Sequence, residues 1–371
     1  MVYFMKVCIC GDVHWCTYSS ILRKRGTRYS LRLENLIDSV NWVIDTAASN
    51  GCTDLFFLGD FFDASVLTAE EISALSELKW NNLVYTSFIV GNHEMGTSDL
   101  SFSTAHSFLL NKNNSVYDKP SIVRVGDTLI YILPYELEVS RKGSIKDYFP
   151  QQSFIDPECK KRILLSHNDI KGIQMGNFIS KEGFDLGELS QTFDIVVNGH
   201  LHNQQWVSSN VLNLGNITGQ NFSEDATRYP HQCMILDCDT LEYTLVNNPY
   251  ALKFTKLDFT GSNSNIDYIN EVAFKLGKPA VLSIRCEDKD YDYIKKRFDP
   301  DIEQDALVPK DCRVIQSRII VDRSNKKISN EEYQKKQNTL HIDYISEFSQ
   351  YIQSVIGTSD DVITELQKVI E

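Results

Sequence analysis

Five short stretches, in order along the chain, hold five of its eight histidines at positions rich in glycine, aspartate and asparagine. They read Gly11-Asp12-Val13-His14, Gly59-Asp60-Phe61-Phe62-Asp63, Gly91-Asn92-His93-Glu94, Ser166-His167-Asn168 and Gly199-His200-Leu201-His202. Only His106, His231 and His341 fall outside them. Each stretch follows an apolar run, the pattern expected of loops at strand ends that converge on a metal site. A lone Gly-Asp at a strand end is an ordinary turn, and a lone buried histidine is an ordinary core residue. Five in order are not explained that way. His106, placed on an expected helix with Phe102, Leu109 and Leu110, keeps the ordinary interpretation, as do His231 and His341.

The first 200 residues alternate strand and helix. Lys6–Cys10 is an expected strand ending at Gly11. Leu33, Leu36, Ile37, Val40, Val43, Ile44 and Ala47 mark a helix over 30–50 with Gly51 as its C-terminal stop. Strands 54–58 and 83–90 deliver the second and third stretches. Between them Thr68, with Glu71 three residues on, opens a capped helix expected to run to about Trp80. The pattern then turns more purely β: a hairpin over 122–133, strands 162–165 and 194–197 running into the last two stretches, and a second hairpin over 232–246. Asn247-Asn248-Pro249 marks an expected boundary, giving a first domain over 1–250. A smaller α+β unit over 251–330 has strands at 280–285 and 313–321 and a helix at 291–298. After a polar linker over 325–340, two amphipathic helices are expected: one on Ile345, Phe348, Ile352, Val355 and Ile356, the other on Val362, Leu366 and Val369 after Ser359.

Composition narrows the setting. No apolar run approaches the roughly 20 residues needed to span a bilayer, and the first ten residues read as a strand rather than a leader. Nine cysteines without a Cys-x-x-Cys pair argue against a zinc finger or a disulfide framework and for a reducing cytoplasm. The net charge of −13 gives no long-range steering toward nucleic acid. Contact with DNA would need a local patch, a metal cluster or a partner. One basic run stands out: Arg23, Lys24, Arg25, Arg28 and Arg32, just after the first stretch, are candidates for phosphate contact, with a solvated loop as the alternative.

Carboxylate, amide oxygen and imidazole together suit a divalent first-row metal. Asp12, His14, Asp60, Asn92, His167, His200 and His202 are seven candidate ligands, too many for one tetrahedral ion and suited to two ions sharing a bridging carboxylate. His93, beside Asn92, is placed to protonate a leaving oxygen. Phe61 and Phe62 are expected to pack against the sheet rather than stack on bases.

The ordered set GDVH, GDFFD, GNHE, SHN and GHLH resembles the calcineurin-like metallophosphoesterase superfamily. Within it the chain is similar to the SbcD-type nuclease subunits of double-strand-break repair complexes, in particular their bacteriophage members. The finer likeness rests on GDFFD, on Asn213-Leu214-Gly215-Asn216, on Asn247-Asn248-Pro249, and on a small domain followed by terminal helices. It implies an α/β fold built as a β-sandwich of two mixed sheets flanked by helices, with an α+β capping domain and C-terminal helices. It implies one ion held by Asp12, His14, Asp60 and His202, and a second by Asp60, Asn92, His167 and His200. His93 would be the general acid and Mn²⁺ the metal. It further implies DNA exonuclease and single-strand endonuclease activity, and a homodimer in the cytoplasm, that of the host if the gene is a phage's. The partner would be an SMC-like ABC ATPase, gripped by helices within 331–371.

Two departures stand out. The family commonly has Asp after the GNH histidine, where this chain has Glu94, a longer carboxylate expected to orient His93. GNHE also occurs in Ser/Thr phosphatases, but those extend the second motif with Arg-Gly, where Ala64-Ser65 stands here. Asp63 is expected to support the site rather than to ligate. A phosphatase or phosphodiesterase with a small substrate, and a non-catalytic scaffold, are the two alternatives.

Overall fold

Strand pleating sorts the first strand's residues between two cores. Val7 and Ile9 point one way and Cys8 and Cys10 the other, and all four are buried. The computed structural model describes residues 5–19, 21–22, 26–175, 178–260, 267–268, 271, 280–298 and 314–322. Arg23, Lys24, Arg25, His341 and both expected tail helices lie outside them.

Two six-stranded mixed sheets face one another. The first runs in the order Tyr243–Asn247, Gln232–Asp237, Lys6–Cys10, Asp54–Phe57, Tyr85–Ile89, Asn114–Tyr117. Its last four strands are mutually parallel, and Gln232–Asp237 is antiparallel to both of its neighbours, Lys6–Cys10 and Tyr243–Asn247. The second runs Gln205–Trp206, Val211–Asn213, Ile195–Asn198, Lys161–Ser166, Thr128–Leu133, Ser121–Val125, with a parallel block of four at its centre. Val7, Ile9, Phe56, Ile89 and Met234 of one sheet pack on Ile130, Ile132, Ile163, Leu165, Val197 and Leu212 of the other. The fold is therefore a mixed α/β sandwich, as expected.

On the outer face of the first sheet lies the helix Leu31–Ser49, whose Leu33, Leu36, Val40, Val43, Ile44 and Ala47 meet Cys8, Cys10, Phe57 and Phe88. Ser30 caps it by accepting from Leu33 N at 3.1 Å, and Gly51 follows its end at φ 69°. The second helix, Ala69–Leu75, has the expected Thr68/Glu71 capping box but stops five residues short of Trp80. Asn41 explains the stop: its side chain donates to Glu77 O at 3.1 Å and accepts from Lys79 N at 2.7 Å, taking groups that a continuing helix would use.

Phe61 and Phe62 are buried in a cluster with Phe57, Phe88 and Phe108, so packing prevails over base stacking. The segment carrying His106 is a 3₁₀ helix, Thr104–Leu110, and not an α-helix. Phe102, Leu109 and Leu110 are exposed, and His106 pairs with Asp118 at 3.3 Å instead of joining a core. A three-stranded sheet, Lys253–Phe259, Ala280–Glu287 and Val314–Asp322, carries the helix Tyr291–Phe298, which buries Ile294 and Phe298 on Leu257, Leu282 and Ile284. The chain gathers into a compact unit over Met1–Ile320 and a second over Val321–Glu371, of which only Val321 and Asp322 are described. Among the described residues no helix is long and apolar enough to cross a membrane.

Candidate metal centre

All five motif loops leave the C-terminal ends of adjacent parallel strands, three from the first sheet and two from the second. That edge is where open parallel sheets gather ligands, and here two such edges meet. The ligand atoms fall into overlapping groups, each within 4.8 Å: Asp12, His14 and His202; His14, Asp60 and His93; Asp60, His167 and His200. Asn92 completes the last, its Oδ1 lying 3.1 Å from His167 Nε2 and 3.0 Å from His200 Nδ1. All seven expected ligands thus come together, with Asp60 common to both sides.

Bringing them so close strains the backbone. His14, Asp60 and His200 all have positive φ, at 51°, 48° and 80°. Side chains other than glycine rarely adopt this region, although Asp and His tolerate it better than most. The neighbouring glycines make the room. A Cβ at Gly59, itself at φ 109°, would fall on the His167 ring, and one at Gly91 would fall on Asp60.

Each of the four candidate ligand imidazoles has its outward nitrogen fixed. His14 Nδ1 meets Asp63 Oδ1 at 2.9 Å, and His167 Nδ1 meets Leu58 O at 2.8 Å. His200 Nε2 meets Asp169 Oδ1 at 3.1 Å, and His202 Nδ1 meets Glu224 Oε1 at 2.8 Å. An acceptor on that side puts the proton there and leaves the inward nitrogen with a lone pair for a metal. Asp12 Oδ2 and His14 Nε2 are buried without a hydrogen-bond partner. Buried polar atoms are normally paired, so these two inward orphans, with the mixed O and N donor set, fit divalent cations.

Electrostatics point the same way. Burial disfavours charge on His167, but Asp60 at 3.1 Å outweighs it and holds the imidazole up at about 9. Burial likewise works against the Asp60 carboxylate, and the His167 charge overrides it and holds Asp60 well below the usual range. This buried pair occupies the ground that a cation would neutralise.

Glu94 has a different role from the one expected. It is fully buried and does not touch His93; its carboxylate accepts from the backbone N–H groups of Asp60 (3.2 Å), Phe61, Phe62 (3.1 Å) and Gly91 (2.6 Å). The side chain clamps the second motif's turn. Burial and the Asp60 charge push Glu94 up to about 8, against the pull of those donors. His93 is oriented instead by Asp63, whose carbonyl lies 3.0 Å from His93 Nδ1, while His93 N donates to Asp60 Oδ1 at 2.9 Å. His93 is 41% exposed, whereas His14 and His167 are sealed in, so it is the most accessible of the clustered imidazoles.

Asp169 and Glu224 were not singled out from the sequence. Asp169 also receives Arg141 at 3.3 Å, and Glu224, buried, also receives Asn216, Gln220 N and Asn221. Asp169 lies two residues past His167, a signal available in the sequence; nothing local marks Glu224. Of the basic run, Arg28 is exposed and pairs with Glu77. Arg32 is buried and donates to Gly219 O at 2.9 Å, so it braces the fold and is not offered to phosphate.

The model of the family described as calcineurin-like phosphoesterase matches residues 5–204, more than half of the chain. The chain belongs to that family. Exonuclease subunit 1 of Enterobacteria phage T4 is 24% identical over 204 residues, covering 53% of this chain and 55% of that protein. The putative phosphoesterase 244L of Invertebrate iridescent virus 6 is 25% identical over 144 residues, covering 38% and 48%. The chain thus spans about half the length of these curated relatives. The solved structure of an archaeal phosphodiesterase is 14% identical, covering 66% of this chain and 99% of that one at a TM-score of 0.33. Membership of this family and the clustered donors together make the five loops a candidate divalent-metal site.

Two outcomes follow for this phosphoesterase. Asp169→Ala should weaken the ion at Asn92, His167 and His200 by about 10–100-fold and leave the other ion in place. Calorimetric Mn²⁺ titration reads this as one affinity lost of two, and two unchanged affinities would contradict it. Ligation by His167 must displace a proton bound up to about pH 9. Metal affinity should therefore rise with pH, by up to about tenfold per unit for one proton, and level off above 9. Proton release, measured at pH 7.5 in buffers of different ionisation enthalpy, checks the sign.

Proposed function

We propose that this phosphoesterase is a DNA nuclease, the nuclease subunit of an SbcCD-like recombination or repair complex. The observation that carries the proposal is the meeting of seven ligands about Asp60 with the accessible His93 beside them. Likeness to a phage protein described as an exonuclease subunit supports DNA over a small ester. Asp12, His14, Asp60 and His202 would hold one ion, and Asp60, Asn92, His167 and His200 the other. Two such ions, Mn²⁺ in this proposal because the donors mix oxygen and imidazole, neutralise phosphoryl charge and make water a competent nucleophile at neutral pH.

The chain's own residues do the rest. The Asp63 carbonyl takes the Nδ1 proton of His93 and fixes the ring. The second ring nitrogen then carries the proton donated to the leaving oxygen. Glu94 holds the turn on which Asp60 sits, so the Asp60 carboxylate would keep its place as charge shifts between phosphate and leaving group. Arg23, Lys24, Arg25 and Arg28 would steady the DNA backbone, Arg28 exchanging its Glu77 partner for phosphate. The protein would work as a homodimer, with helices in 331–371 gripping the coiled coil of an SMC-like ABC ATPase.

Linear DNA and a small aryl phosphodiester, each with Mn²⁺, test the substrate. DNA should be cut, and His93→Ala should slow cutting by about 10²–10⁴-fold with Mn²⁺ stoichiometry unchanged. Activity confined to the aryl ester would end the nuclease assignment. Removing residues 331–371 should abolish co-purification with the ATPase; retained association would contradict the assignment of those helices.

A further inference from the structure

The C-terminal edge of the second sheet carries a loop that none of the five motifs includes. Thr128–Leu133 runs parallel to Lys161–Ser166, which runs parallel to Ile195–Asn198, so the chain leaves all three strands at the edge that holds the candidate ligands. The last two strands deliver His167, His200 and His202, and the first delivers Pro134-Tyr135-Glu136. Two motif loops hold that segment in place. Tyr135 N donates to Val90 O at 3.0 Å, just before Gly91-Asn92. Asn168, buried and next to His167, accepts from Glu136 N at 2.9 Å and donates to Pro134 O at 2.9 Å, so it grips both neighbours of Tyr135. The Tyr135 ring is set in this way against two candidate ligand imidazoles, its centroid 5.6 Å from that of His200 and 6.4 Å from that of His167. The residue is half-buried, and among the described residues its hydroxyl has no hydrogen-bond partner. A buried tyrosine hydroxyl usually finds one, so what this loop secures is the ring and not the phenol.

We propose that Tyr135 is a substrate-binding residue whose ring stacks on the base of the nucleoside that keeps the phosphate. The side of the centre follows from His93. Its ring lies 4.7 Å from that of His14, and its group is His14, Asp60 and His93. Tyr135 stands at the other group, Asp60, His167 and His200. A leaving oxygen protonated by His93 departs beside His14, and the ester arm that stays on phosphorus is then the one within reach of Tyr135. An aromatic face serves any base, because every base has a π-face. This inference rests on the phosphodiester reading of the centre and gives it a contact to base, which the seven ligands and His93 do not.

Calorimetric titration of the full chain loaded with Mn²⁺ tests it. The titrants are the 5′- and 3′-monophosphates of deoxyadenosine and methyl phosphate, which carries the same phosphate group and lacks the base. One of the two nucleotides should bind about 5–150-fold more tightly than methyl phosphate, the gain expected of a base stacked on an aromatic ring. Tyr135→Leu keeps apolar bulk against His200 without a π-face. It should lose that gain while keeping the methyl phosphate affinity and the Mn²⁺ stoichiometry, and Tyr135→Phe should retain the gain. The inference is overturned if neither nucleotide binds more tightly than methyl phosphate, or if Tyr135→Leu keeps the preference or weakens methyl phosphate equally. It is also overturned if Tyr135→Phe loses the preference as fully as Tyr135→Leu, which would transfer the role to the hydroxyl. The base preference is read without turnover, so uncut DNA would end the nuclease proposal and leave this result in force.

Discussion

A carboxylate common to two clusters of candidate metal ligands, buried and held by backbone at positive φ, is the constraint that organises this molecule. Asp60 is 2% exposed and has φ 48°. Left-handed backbone at a residue other than glycine costs on the order of 1–3 kcal/mol, and taking a carboxylate out of water costs several more. The chain offsets both locally. Glu94 gathers the N–H groups of Asp60, Phe61 and Phe62 into one acceptor, which fixes the turn. The Phe61 and Phe62 side chains that flank it are anchored in the aromatic cluster with Phe88 and Phe108. One residue thus faces chemistry while the next two face the core. GDFFD is a single device with a wet side and a dry side.

The four candidate ligand histidines extend the same logic. Three are pinned by carboxylates, those of Asp63, Asp169 and Glu224, and one by the Leu58 carbonyl. Two of the carboxylates come from outside the five motifs, and both have further partners, Arg141 for Asp169 and Asn216 for Glu224. Ring orientation at the centre therefore depends on loops leaving both sheets, and the sandwich has to be assembled before any ligand is aimed.

Much of this was legible in the sequence because ligand type and strand ends are local signals. Gly-Asp after Lys6–Cys10, or Gly-Asn-His after Tyr85–Ile89, announces a ligand on a turn without knowledge of its neighbours. The stripe from Leu33 to Ala47 announces a helix in the same way. What stayed hidden depends on residues distant in sequence. Asn41 ends the second helix through Glu77, 36 positions away. Glu94 reads as a partner of the adjacent His93 until the fold delivers the 60–62 backbone to it. Arg32 reads as one more cation of a basic run, and only the approach of Gly219, 187 residues on, shows it to be a brace.

The acidic surroundings of the centre set the field that a phosphate meets there. Asp12, Asp60, Asp63, Asp169 and Glu224 all lie in it or against it. In the metal-free protein the proton on His167 meets the charge of Asp60, and Arg141 meets that of Asp169. A phosphodiester is itself an anion, and at the short distances of a low-dielectric pocket repulsion from several carboxylates outweighs any hydrogen bond that His93 offers. Divalent cations invert that local field. Cations held there would turn a repulsive pocket into one that attracts phosphate. The strongly negative overall charge and phosphoester chemistry are compatible, because the local field beside Asp60 can differ in sign from the field of the whole chain.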